Sequence, residues 1–168
     1  MPVLDTPRVT RSELDESRGF AKQIELADPL ESVSVLNLEN QDLLRAKRFL
    51  ENSSKDARDR LILLGILLAD LQELPEGTVN KLLDVKPQRL TSFVHGEATV
   101  PATTASRWKV LAEIIRNIHN ILQRDAVDQW LHTEIRSLGG KTPLALIERG
   151  KAETVLTLTK SYLDPSFA

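Results

Sequence analysis

The stretch Leu138-Gly139-Gly140-Lys141-Thr142-Pro143-Leu144-Ala145-Leu146-Ile147-Glu148-Arg149-Gly150 admits few backbone paths. It reads as a turn, a short helix and a stop. Gly139 and Gly140 can take positive φ without a Cβ clash. Thr142 is a suitable N-cap, and Pro143 then occupies the first helical position, where its missing N–H costs nothing. Leu144, Leu146 and Ile147 give the short helix an apolar side, and Gly150 is placed to end it in a left-handed cap. A second helix is expected from Lys151 to about Leu163, stopped by Asp164-Pro165. Its Val155, Leu158 and Tyr162 are expected on one side, with Lys151, Glu153 and Lys160 elsewhere.

Upstream of this hairpin, the apolar run Leu61–Leu71 contains Gly65 and Asp70 and is too short to cross a bilayer. It predicts a buried helix at the centre of a bundle. Leu43, Leu44, Lys47, Phe49 and Leu50 predict a helix before it, with Ser54 capping the buried one. Aromatic residues make up 4% of the chain, so aliphatic side chains must supply the core. Residues 1–40 form an acidic arm broken by Pro2, Pro7 and Pro29. A helix over Ser12–Ala27 is conceivable there, and Ser32–Leu38 alternates like a strand but, with no partner strand, reads as an extended linker.

Pro75–Leu83 predicts a short helix, Asp84-Val85-Lys86 a tight turn, and Pro87 the start of a second short helix ending at His95-Gly96. A longer helix from Val100-Pro101 to Leu122 follows. Two short helices on a tight turn with a supporting helix behind them have helix-turn-helix geometry. Lys86, Gln88, Arg89, Ser92 and His95 are the candidate DNA-facing residues, since Arg and Gln read guanine and adenine edges. Between Lys81 and Lys109 five basic residues face only Asp84 and Glu97, although the whole chain has a formal net charge of −2. Any contact with nucleic acid must therefore come from this local face. A further helix is expected after Asp125, which can cap it, carrying Val127, Trp130, Leu131 and Ile135.

Trp130-Leu131, Leu138-Gly139-Gly140, Thr142-Pro143-Leu144, Leu146-Ile147, Gly150, Ala152 and Val155 together resemble the toxin-binding domain of the Xre/MbcA/ParS antitoxin family. Leu82–Lys86, Phe93–Gly96 and Ala105, Arg107, Trp108 and Leu111 are similar to the Xre-type helix-turn-helix that precedes it in that family. Val79-Asn80-Lys81 replaces the usual small residues before the turn, and Pro87 stiffens the second helix. The resemblance implies an all-α helical bundle with a helix-turn-helix core and a C-terminal helical hairpin. Three parts follow: the arm (1–40), a helix-turn-helix domain (41–124) and a toxin-binding domain (125–168).

In function, the resemblance implies a type II antitoxin that covers the cleft of a RES-domain, NAD-consuming toxin. Lys141, Glu148, Arg149, Tyr162, Phe167 and Ala168 are the candidate toxin contacts, because Arg and aromatic side chains make good interface anchors. Trp130, Leu138, Gly139, Gly140 and Pro143 are assigned to the fold. Operator DNA and a homodimer are expected, since paired half-sites need paired readers. The rival readings are a stand-alone transcription regulator and an adaptor that binds protein and not DNA.

No enzymatic signature is present. The three histidines, His95, His119 and His132, form no i, i+4 metal pair, and there is no cysteine. Gly140-Lys141-Thr142 has the ending of a phosphate loop but lacks its first glycine. The chain is thus expected to be a non-enzyme with no cofactor and no metal. The first residues have no basic segment leading into an apolar core, so a cytoplasmic protein with no membrane association is expected.

Overall fold

The computed structural model describes residues 40–164 and Ser166. The readings for the acidic arm lie outside the described residues, as do Phe167 and Ala168. Among the described residues the protein is all-α, with eight α-helices: α1 (Asn40–Asn52), α2 (Lys55–Asp70), α3 (Glu76–Leu83), α4 (Pro87–Val94), α5 (Ala102–His119), α6 (Val127–Leu131), α7 (Pro143–Glu148) and α8 (Ala152–Leu163). Short 3-10 turns at Arg124–Ala126 and Arg136–Leu138 join the later ones.

Two helices form the centre. In α2, Leu61, Ile62, Leu63, Leu64, Gly65 and Leu67 are all buried, so its middle is enclosed nearly all round, as its run of apolar residues requires. Ser54 starts it, its Oγ accepting the Ala57 N–H at 3.3 Å. α5 buries Ala105, Trp108, Leu111, Ala112, Ile114, Ile115 and Ile118. That face is wide enough to pack against α2 on one side and α8 on another. Each fully buried Leu or Ile here contributes about 1.5–3 kcal/mol relative to exposure.

The helix pair α3–α4 hangs on α5 through one indole. Trp108 Nε1–H donates to the Leu83 carbonyl at 3.0 Å, satisfying one of the acceptors left open at the end of α3. Its ring meets Phe93 of α4 edge-on, with centroids 6.3 Å apart and planes at 80°. Between the two helices Asp84 takes φ +49°, the one positive-φ non-glycine among the described residues. Its carboxylate pairs with Arg107 at 2.6 Å. Both side chains are about half exposed, so this pair orients the turn more than it stabilises the fold.

α4 ends in a Schellman motif: the Gly96 N–H donates to Phe93 O at 3.1 Å and the Glu97 N–H to Ser92 O at 2.9 Å. Gly96 is required twice over. It has φ +69°, and a Cβ on it would lie 2.9 Å from Phe49 Cβ of α1. The close approach of α1 to the end of α4 therefore depends on this glycine.

Two expectations need correction. The long helix stops at His119 rather than Leu122; Ile121 and Leu122 still donate to Ile118 O, at 2.9 and 2.8 Å, in a tightened last turn. Beyond it, Asp125 caps nothing and Ile135 is not helical. A 3-10 turn leads into α6 without a side-chain cap. The helix is cut short after Leu131, where Thr133 Oγ1 donates back to Gln129 O at 2.7 Å. Ile135 is extended and bridges Lys141 instead.

Gly150, with φ +73°, has open space where a Cβ would stand. Gly150→Ala should therefore cost only the left-handed backbone penalty, about 1–2 kcal/mol. Gly96→Ala should cost measurably more, because α1 must also shift. Urea unfolding of the two variants beside the parent checks the order.

Candidate functional site

The C-terminal segment is built from local signals that close on one another. After α6 the chain extends through Ile135, turns at Arg136–Leu138 and returns. The Ile135 N–H donates to Lys141 O and the Gly140 N–H to Ile135 O, both at 3.1 Å. Consecutive left-handed residues, Gly139 (φ +68°) and Gly140 (φ +70°), make that return possible, and Leu138 is buried beneath the loop. Thr142 Oγ1 accepts the Ala145 N–H at 3.2 Å, with Pro143 first in α7. Pro143, Leu144, Leu146 and Ile147 are buried. The exit is a second Schellman motif: the Gly150 N–H donates to Ile147 O at 3.0 Å and the Lys151 N–H to Leu146 O at 2.8 Å.

This frame leaves Lys141 exposed at the entrance to α7 and Glu148 and Arg149 exposed at its exit. On α8 the buried positions are Val155, Leu156 and Thr159. Leu158 is half-buried, while Tyr162, expected on the same side, is 45% exposed and Leu163 is 43% exposed. The apolar stripe of α8 runs on past the core into its last turn, leaving an uncovered aromatic and aliphatic end. Just beyond, Asp164 accepts from Ser166 Oγ at 2.6 Å and from its N–H at 2.8 Å. Those two donors hold its carboxyl below the usual carboxylate range. Of the fold-assigned residues, Leu138 and Pro143 are buried, and Trp130 packs half-buried against the core.

The second candidate face is α4. Lys86, Gln88 and Arg89 are exposed, and Ser92 and His95 are half-buried. Arg89 lies with its guanidinium 5.2 Å from the Phe93 ring centre, which restrains it along the helix. Ser92 Oγ donates to Gln88 O at 3.1 Å and Thr91 Oγ1 to Pro87 O at 3.0 Å, so both hydroxyl protons are engaged within the helix. Arg107 of the basic cluster is committed to Asp84.

Three polar contacts were not foreseen from sequence. Thr78 of α3 donates to Asp128 Oδ1 at 3.0 Å, Asn117 Nδ2 of α5 donates to Thr159 Oγ1 at 3.1 Å, and Trp108 reaches Leu83. The available signal was a threonine on an otherwise buried stripe, at 159, with only Leu156 O to receive its own proton. Among the described residues no cluster of three or more His, Asp or Glu is placed to hold a metal, and no buried side-chain N or O lacks a hydrogen-bond partner. None of the described helices is long and apolar enough to cross a membrane.

Asp70 at the end of α2 and His119 at the end of α5 influence each other electrostatically. Burial lowers the His119 pKa below 6.5, opposed by Asp70. Burial raises the Asp70 pKa above 3.8, opposed chiefly by His119. For the histidine, the unfolded chain takes up the proton more readily, so stability falls as pH drops through 6.5 toward the folded value. His119→Gln should flatten the decline of the urea midpoint between pH 7 and pH 5. For Asp70 the folded chain holds the proton more readily, so Asp70→Asn should gain on the parent as pH rises above 3.8.

Residues 120–165 match the family model of the antitoxin Xre/MbcA/ParS C-terminal toxin-binding domain. The matched segment runs from just after α5 through α8, and its likeness to that domain supports an antitoxin role with a toxin as partner. No curated protein and no solved structure matches the chain.

Proposed function

We propose that this chain is the antitoxin of a type II toxin–antitoxin pair and that its partner is a RES-domain toxin that consumes NAD. The observation that carries this reading is the toxin-binding segment at 120–165. Its surface offers exposed Lys141, Glu148 and Arg149 around α7 and the exposed end of α8 at Tyr162. Inhibition is steric: antitoxin surface lies over the cleft that NAD must enter, so the antitoxin itself needs no catalytic group. Arg149 and Tyr162 supply large side chains that combine apolar area with a polar tip, the type that dominates interface energetics. Phe167 and Ala168 extend the same end of the chain and belong to the proposed contact.

The helix pair α3–α4 supports a second activity, repression of the antitoxin's own operon as a homodimer. Lys86, Gln88, Arg89, Ser92 and His95 line the proposed DNA face. Lys86 and Arg89 supply phosphate and base contacts, and the surrounding basic cluster supplies the local positive field that the acidic chain as a whole lacks.

Co-expression with the product of the neighbouring gene, followed by pull-down and an NAD-consumption assay, tests the first activity. A stable complex with NAD turnover blocked is expected. Lys141→Glu combined with Arg149→Glu should weaken that complex tenfold or more, about 1.4 kcal/mol or greater, and leave the unfolding midpoint unchanged because both side chains are exposed. Failure to form any complex would sink the toxin reading. For the second activity, Lys86→Ala should lower the log–log salt slope of binding to the upstream DNA by about one. A salt-independent signal would exclude DNA contact through this face.

A further inference from the structure

The matched segment begins at residue 120, and its first two helices, α6 and α7, are five and six residues long. Helices that short are not stable by themselves in water. They pack on each other and on α8, and α8 in turn rests chiefly on α5, outside the segment. α8 packs against α5, and α7 packs against both α8 and α3. Thr159, 0% exposed, receives the Asn117 side-chain N–H of α5 at 3.1 Å. At the rim of the same contact, Lys160 Nζ lies 3.2 Å from Glu113 of α5. On the other side Thr78 of α3, 6% exposed, donates to Asp128 Oδ1 of α6 at 3.0 Å. α3 is itself held at its far end by Trp108 of α5. The two partly buried polar bonds therefore span sequence separations of 42 and 50 residues and join the C-terminal segment to α5 and to α3.

We propose that residues 120–165 are not a self-standing module. They open and close with α3, α4 and α5 as a single cooperative unit, fastened by Thr78–Asp128 and Asn117–Thr159. The physical ground is that Thr78 is 6% exposed and Thr159 0% exposed, so a local opening that broke either bond would leave a shielded hydroxyl without that partner. A binding free energy gained on the C-terminal surface is then felt on α4, and the reverse holds by linkage. The coupling is a property of the chain alone and does not depend on which partner the C-terminal surface takes.

Native-state hydrogen exchange on the full chain, without any partner, tests it. In the parent, amides of α8 from Val155 to Thr159 should open with the same free energy as those of α5 from Leu111 to Ile118. Thr78→Val, which removes the donor to Asp128, should speed exchange in α3, α5 and α8 alike, by about tenfold or more. Thr78→Ser keeps the hydroxyl and should return all three toward parental rates. If α8 kept its parental rate in Thr78→Val while α3 sped up, the segment would be independent and the proposal overturned. The proposal is equally overturned if α8 of the parent opens far more easily than α5. Should Thr78→Val not fold, the parental comparison of α8 with α5 decides alone.

Discussion

The position of the turn-joined pair α3–α4 depends on the indole of Trp108. It is 1% exposed and makes two different contacts with two different helices. Its N–H satisfies a carbonyl at the end of α3, and its ring edge-packs with Phe93 in α4. A buried indole N–H must find an acceptor, and this one finds an acceptor that a helix end must otherwise leave open. The same group therefore meets two requirements at once, and the relative placement of α3, α4 and α5 follows. The αL turn at Asp84 and the Schellman exit at Gly96 adapt the backbone to that placement.

α5 then carries the arrangement to the other end of the molecule. Its broad buried face packs against α2 and against α8, so the segment that matches a toxin-binding domain is seated on the same helix that seats α3 and α4. Core aliphatics make that seat favourable without making it specific, because dispersion and burial are not directional. Direction comes from a few partly buried hydrogen bonds. Asn117–Thr159 and Thr78–Asp128 distinguish one register of α8 and α6 from its neighbours, since a slip would leave a shielded polar group without a partner.

The exposed features are a consequence of this framework. α7 is closed at its entrance by Thr142 and at its exit by Gly150, which leaves Lys141, Glu148 and Arg149 around a short, well-defined helix. Rigid placement of exposed long side chains reduces the ordering cost when a partner binds. The last turn of α8 extends its apolar stripe beyond the core, and Tyr162 and Leu163 remain uncovered there.

What could be read directly from the residues was whatever a few neighbours along the chain decide. The Ser54 and Thr142 caps, Pro143 at the first turn of α7, the stop at Gly150, the glycine exit at Gly96 and the enclosed middle of α2 all depend on bonds or periodicity within one helix. The resemblance of the C-terminal residues to an antitoxin's toxin-binding domain was legible for the same reason, because its pattern is a string of such local signals. Tertiary structure alone decided the rest. Tyr162 remained outside because the core ended before the stripe did. The pairings of Trp108 with Leu83, Thr78 with Asp128 and Asn117 with Thr159 were also settled there. Each of those joins groups 25 to 50 residues apart, and local propensity carries no information about which distant carbonyl or hydroxyl a buried donor will meet.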